Sequence, residues 1–130
     1  MGVTAHFDEI FTCETHDCDH NSCEEKPSTD DLDMSIWAYA RAVKFLPPTT
    51  IYPFKMKYWS STDYWHIEGS VSYEIDDLLC LLETILDSVN NVLSKDKDNF
   101  DAKNLEDVLR RTMDGLNKAL ENGHSRVDIS

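Results

Sequence analysis

Basic residues are scarce in this chain, where 12 Lys and Arg stand against 25 Asp and Glu and the formal net charge is −13. Proteins bind nucleic-acid phosphates or anionic lipid through basic clusters, so we expect no direct nucleic-acid partner and no membrane partner. No apolar run approaches the roughly 18 residues of a membrane-spanning helix, and no basic stretch followed by an apolar one suggests a secretory signal. We therefore expect a cytoplasmic protein whose four cysteines stay reduced.

Charge is distributed unevenly along the 130 residues. Residues 1–31 carry nine acidic side chains and one Lys, a charge of −8, whereas the other 99 residues carry 16 acidic and 11 basic side chains, a charge of −5. A chain of this length typically forms one domain. We divide it into an acidic N-terminal segment rich in Cys and His (residues 1–29), an α+β domain (residues 30–123) and a frayed C-terminal tail (residues 124–130).

A first helix is predicted over residues 30–46, where apolar residues recur at steps of three and four. This stripe consists of Leu32, Ile36, Tyr39, Ala40 and Val43. Pro47 and Pro48 end the helix, because neither ring can continue its hydrogen bonds. A strand is the alternative, since the residues from Trp37 to Phe45 also alternate in part.

Residues 51–73 change to a period of two, which predicts an antiparallel hairpin closed by residues 60–63. If Trp59 lies opposite Tyr64, the facing pairs are Tyr58 with Trp65 and Met56 with Ile67 on the apolar side, and Lys57 with His66 and Lys55 with Glu68 on the polar side. A shift of one residue would turn every apolar side chain to the wrong face. The second strand is expected to run on to Tyr73, and residues 5–12 are a candidate for a further strand.

Two long amphipathic helices are predicted after the hairpin. The first extends from about Tyr73 to Ser94, with Ser72 as its cap and a stripe of apolar residues: Ile75, Leu78, Leu82, Ile85, Val89 and Val92. The second is expected to begin at a cap, Asp101, and to end at Asn122-Gly123, with Gly115 allowing a close helix approach. Its apolar stripe consists of Leu105, Val108, Leu109, Met113, Leu116 and Leu120. A short turn between them implies an antiparallel pair. The predicted fold is therefore α+β: helix, two-stranded antiparallel hairpin, antiparallel helix pair.

Five candidate metal ligands fall within eleven residues of the N-terminal segment, in the pattern Cys-x2-His-x-Cys-x-His-x2-Cys. They are Cys13, His16, Cys18, His20 and Cys23, which we call the Cys/His cluster. Zinc takes four tetrahedral thiolate or imidazole ligands, so this set is a candidate zinc site. The alternative is an acidic segment without any cofactor, because the spacing is not that of a standard zinc finger and high charge resists folding.

Familiar catalytic motifs are missing from the sequence, which contains no Gly-rich phosphate loop, no Gly-x-Ser-x-Gly and no His-Glu-x-x-His. Cys80 lies between two leucines and is expected to be a small buried apolar side chain. We therefore expect a protein that is not an enzyme. A small enzyme that uses His66 or the Cys/His cluster beside a carboxylate is the least favoured alternative.

The polar side of the predicted hairpin is the candidate partner-binding face, formed by Lys55, Lys57, Trp59, Tyr64, His66 and Glu68. Exposed aromatic residues beside charged groups are typical of interfaces. Alternatively, the acidic N-terminal segment covers this face. A strongly acidic small protein attracts basic partners, so the sequence predicts a binding protein that blocks or neutralises a basic protein, as an immunity protein or a phage-encoded inhibitor does. The second hypothesis is a zinc-binding structural or assembly module, and the broad apolar helix faces also permit a homodimer.

Overall fold

The computed structural model describes residues 3–7, 11–12, 24–25, 30–59 and 64–130. These ranges contain three helices, α1 (Ile36–Ala42), α2 (Ile75–Lys95) and α3 (Phe100–Glu121). The strands are β1 (Thr4–His6), β2 (Phe11–Thr12), β3 (Glu24–Glu25), β4 (Leu32–Asp33), β5 (Met56–Trp59), β6 (Tyr64–Ile67), β7 (Val71–Glu74) and β8 (Arg126–Ile129). The α+β class is confirmed. No helix in these ranges combines the length and apolar content that crossing a membrane requires.

The helices α2 and α3 pack against each other, as the two apolar stripes predict. Their buried side chains belong to a core that also includes residues of α1 and of the strands. The helix starts differ from the prediction: Asn99, rather than Asp101, caps α3 by accepting a hydrogen bond from the backbone N–H of Ala102 at 3.1 Å. Ser72 does not cap α2, because its hydroxyl donates to the carboxylate of Asp128 on a neighbouring strand.

The end of α3 lies where the sequence predicts it. Gly123 has a φ of 96°, a left-handed conformation that favours glycine. Its N–H donates to the carbonyl of Leu120 at 3.0 Å, and the N–H of His124 donates to the carbonyl of Ala119 at 2.9 Å. These bonds satisfy carbonyls that the ending helix would otherwise leave without partners.

The frayed tail predicted for residues 124–130 is wrong, because β8 is an inner strand of a four-stranded antiparallel sheet in the order β4-β1-β8-β7. Ile129 is opposite Ala5 on one side and Val71 on the other. Val127 and Ile129 are 1% and 0% exposed, and they alternate with the exposed residues Arg126 and Asp128. The segment is therefore held by hydrogen bonds on both edges and by apolar burial on one face.

The helix predicted over residues 30–46 is also wrong in its bounds. Leu32 and Asp33 form β4 beside β1, and the helix begins only at Ile36. The side chain of Asp33 accepts a hydrogen bond from the N–H of Ser35 at 2.9 Å, and Ser35 has a φ of 52°. This local turn separates strand from helix. The predicted helix therefore exists only as α1, and Val43, assigned to its apolar stripe, is 49% exposed.

The register of the hairpin is confirmed residue for residue. Met56 pairs with Ile67, Lys57 with His66, Tyr58 with Trp65 and Trp59 with Tyr64. The single strand expected up to Tyr73 is instead two strands in different sheets, since β6 ends at Ile67 and β7 pairs with β8. Gly69, with a φ of 76°, lies in the break between them. Of the candidate strand at residues 5–12, Ala5 and His6 belong to β1, which joins β8 and β4, whereas Phe11 and Thr12 form β2 in a different sheet.

Candidate interaction surfaces

The backbone brings the predicted partner-binding residues together on the hairpin. Lys57 lies opposite His66, Trp59 lies opposite Tyr64, and the N–H of Glu68 donates to the carbonyl of Lys55 at 2.8 Å. Lys55, Lys57 and Glu68 are exposed, whereas His66 is half-buried. The arrangement is the one the register predicts, and its role in binding stays a prediction.

The opposite side of the hairpin is less buried than expected. The rings of Tyr58 and Trp65 have their centroids 5.5 Å apart, as facing residues of an antiparallel pair should. Tyr58, placed on the apolar face by the sequence, is nevertheless 47% exposed, and Trp37 on α1 is exposed to the same degree. Met56, Trp65 and Ile67 pack against the core. Among these four residues of the apolar side, Tyr58 is therefore the exposed one.

All five residues of the Cys/His cluster lie outside the described residues, so the zinc site stays a prediction. The strands on either side of the cluster are described: Thr12 of β2 pairs with Glu24 of β3, and Phe11 pairs with Glu25. The residues that flank the 13–23 segment, Thr12 and Glu24, are therefore neighbours. Among the described residues, no group of three or more His, Cys, Asp or Glu side chains is placed to hold a metal ion.

The outer face of α2 carries negative charge that is not compensated locally. Asp76, Asp77, Glu83 and Asp87 are all exposed, and none of them forms an ion pair with another described residue. The only basic residue of α2 is its last, Lys95. We call these four carboxylates the α2 acidic face. They extend over about 16 Å of helix at 1.5 Å per residue.

The acids of α3 are arranged differently, because several of them face an arginine. Arg110 lies 3.8 Å from Glu106, Arg111 lies 3.3 Å from Asp107, and Asp101 lies 3.7 Å from Arg41 on α1. The apolar stripes of the two helices do not predict this contrast, because they show which side of each helix is buried and not which acids have a basic neighbour. The sequence does contain a signal for the uncompensated charge of α2, since no Lys or Arg occurs between Lys57 and Lys95.

A groove follows one flank of α2 beside the α2 acidic face. Its first part, about 380 Å³, lies between α2 and the chain at residues 47–51. The second part, about 360 Å³, shares Pro47 and Ser88 with the first and continues towards Lys95. Cys80 lines the groove and is exposed, so the prediction that it is buried is wrong. The helical period explains this, because Leu78 and Leu82 point inward and place Cys80 on the other side.

Two buried polar atoms have no hydrogen-bond partner among the described residues, the hydroxyl oxygen of Tyr39 and Nε2 of His124. Burial raises the pKa of Tyr39 above its ordinary value of 10.0. The Tyr39 ring packs edge-on against the Phe54 ring, with 5.2 Å between the ring centroids. The rings of His124 and Phe7 have their centroids 5.4 Å apart. Tyr39 is part of the hydrophobic core, and His124 is buried beside Phe7.

Comparison of the chain with protein-family models, with curated proteins and with solved structures finds no match.

Proposed function

We propose that this protein is a small, non-catalytic binding protein that attaches to a basic protein and blocks or neutralises it, in the manner of an immunity protein or a phage-encoded inhibitor. The α2 acidic face is the observation that carries the proposal. Four exposed carboxylates on one helix, with no cation facing them in the described part of the chain, attract a basic surface. The net charge of −13 accelerates the encounter through long-range steering.

The same charge disfavours direct contact with nucleic acid or anionic lipid, because phosphates would be repelled. The hairpin face of Lys55, Lys57, Trp59, Tyr64, His66 and Glu68 remains a proposed second contact area. A cytoplasmic location and a homodimer also stay predictions, and native mass spectrometry measures the number of copies in the assembly.

The test measures binding of the full chain to a panel of purified basic nucleases and nucleic-acid-binding proteins at low and moderate salt. We expect at least one to bind, with a dissociation constant that rises steeply with salt, and its own activity to fall on binding. Glu83→Gln combined with Asp87→Asn should weaken that binding about tenfold, since exposed charge pairs contribute up to about 1 kcal/mol each.

The matched control is Asp114→Asn combined with Glu121→Gln, which removes the same charge from exposed positions of α3. If only the net charge mattered, both double variants would weaken binding equally, and the α2 acidic face would lose its assignment. If no basic protein binds even at low salt, the proposed function is wrong.

A zinc-binding structural or assembly module is the second candidate, and the pairing of β2 with β3 favours it. Cys13 follows Thr12 in the sequence and Cys23 precedes Glu24, and Thr12 and Glu24 are paired. Closing the ends of the segment reduces the chain entropy that a metal would otherwise have to overcome.

Native mass spectrometry of the purified full chain tests this candidate by its zinc content. We expect one zinc ion per chain, lost in Cys13→Ser and in Cys23→Ser. Cys80→Ser is the control, because Cys80 is exposed on α2, away from the Cys/His cluster in sequence. A chain that is folded by circular dichroism and takes up no zinc when zinc is supplied would eliminate the module.

A further inference from the structure

We propose that the groove beside α2 is the docking site for a basic amphipathic helix of the partner protein, with apolar side chains in the groove and Lys or Arg on the α2 acidic face. This inference rests on the proposed function and names its contact site. The two cavities are adjacent, since Pro47 and Ser88 line both, and together they make up the groove. From Cys80 to Lys95 it follows the helix for about 22 Å, the length of about four helical turns.

The groove is lined by apolar side chains on both walls. Leu81, Ile85 and Val92 contribute from α2, while Phe45, Pro47 and Ile51 contribute from the facing chain. Ile51 is 72% exposed, which is unusual for a large aliphatic side chain beside a groove. Apolar surface of this kind, bordered by polar groups, marks a protein interaction site.

Apart from Lys95 and Asp96, which line its far end, charge borders the groove on one side only. Residues three or four apart lie side by side on a helix, so Glu83 is next to Cys80 and Asp87 is next to both Thr84 and Asn91. Residues 45–51 of the opposite wall contain no charged residue. An occupant therefore meets carboxylates along one edge and uncharged, largely apolar side chains along the other.

Charge complementarity selects the occupant. A second copy of this chain, at −13, or its own residues 1–31, at −8, would bring like charge to the acidic edge. An amphipathic helix presents apolar side chains every three or four residues and can carry basic residues along one flank. A basic helix of about four turns matches the groove in length, polarity and charge.

The probe is a synthetic 16-residue peptide of Leu and Lys in a helical pattern, labelled with a fluorophore and titrated with the full chain at low salt. A peptide of the same composition, scrambled so that its leucines do not share one helix face, is the reference for simple charge attraction. We expect the patterned peptide to bind at least tenfold more tightly than the scrambled one.

Ile51→Glu compared with Phe100→Glu locates the contact. The two side chains are 72% and 73% exposed, so both substitutions remove similar exposed apolar surface and add one negative charge. Added negative charge by itself strengthens binding of a basic peptide. A tenfold or greater loss for Ile51→Glu, with less than a twofold loss for Phe100→Glu, therefore supports docking in the groove.

Thr84→Lys provides a second test at an exposed groove position, with Asn104→Lys on α3 as its control. We expect only Thr84→Lys to abolish the preference for the patterned peptide. Equal effects within each pair of variants would overturn the groove as the docking site. In that case the proposed function would still stand or fall on binding to the basic proteins. Failure to distinguish the patterned from the scrambled peptide would also overturn the groove.

Discussion

Replacing Ile129 with alanine tests the position of β8, which is where the structure departs furthest from the sequence prediction. Ile129 is 0% exposed and lies between Ala5 of β1 and Val71 of β7. The substitution removes three carbon groups, at roughly 0.8 kcal/mol for each buried group. The cavity left behind adds to this cost, so we expect the free energy of unfolding to fall by about 3 kcal/mol.

Urea denaturation followed by circular dichroism measures this loss, and Ile51→Ala is the matched control. The control makes the same chemical change at a side chain that is 72% exposed, so its effect should stay within about 0.5 kcal/mol. For a chain of this size, a loss of 3 kcal/mol lowers the midpoint by roughly 1–3 M urea. Equal midpoints for the two variants would refute the inner position of β8, because a frayed end tolerates both changes.

Four further predictions concern the core and a helix cap. Gly115→Ala should lower the free energy of unfolding by about 1 kcal/mol, because the new Cβ would lie 2.5 Å from a Leu32 methyl carbon. In a Leu32→Ala background the same substitution should raise it instead, because alanine favours the helix over glycine. Urea denaturation of the wild type, the two single variants and the double variant measures both effects. Tyr39→Phe should raise the free energy of unfolding by about 1 kcal/mol at pH 7, because it removes a buried hydroxyl without a described partner. Burial raises the pKa of Tyr39 in the folded chain, so the unfolded chain loses the hydroxyl proton at a lower pH than the folded chain does. The free energy of unfolding of the wild type should therefore fall above pH 10, by up to about 1.4 kcal/mol per pH unit. Denaturation at pH 10 and 11 should show a smaller fall for Tyr39→Phe. Asn99→Ala should cost about 1 kcal/mol in thermal or urea denaturation through the lost cap of α3, and a cost below about 0.2 kcal/mol would contradict the cap.

The helix pair and the hairpin register follow from the sequence because each has a long local pattern. The stripe from Ile75 to Val92 repeats over about five turns, and few arrangements other than a helix would bury it. In the hairpin, the pairing of Met56 with Ile67 and of Tyr58 with Trp65 is fixed by the alternation on both strands and by the length of the loop.

The strands β4 and β8 lack such a local signal. Leu32 fits the spacing of the α1 stripe, and only the hydrogen bond from Ser35 to the Asp33 side chain shows that the chain turns before the helix. β8 offers only two alternating apolar residues, Val127 and Ile129. Its partner β1 is about 120 residues away in sequence, so no window along the chain contains both strands.

The interaction surfaces were only partly predictable, because one follows from a local pattern and the other from contacts between distant segments. The polar hairpin face follows from alternation, so Lys57 and His66 lie where the sequence predicts them. The groove depends on how residues 45–51 pass beside α2, which is a tertiary contact between segments that follow different patterns. Ile51, at the start of the predicted hairpin, therefore gave no sign that its side chain would line a groove.

The pairing of β1 with β8 has a consequence for how the chain is made. The ribosome completes β1 early and β8 late, so β1 has β4 as its sheet neighbour while more than 90 residues are still being added. During that time the free hydrogen-bonding edge of β1 is open to the same edge of another nascent chain. Until β8 is made, this edge of β1 is therefore a site at which incomplete chains can pair with one another.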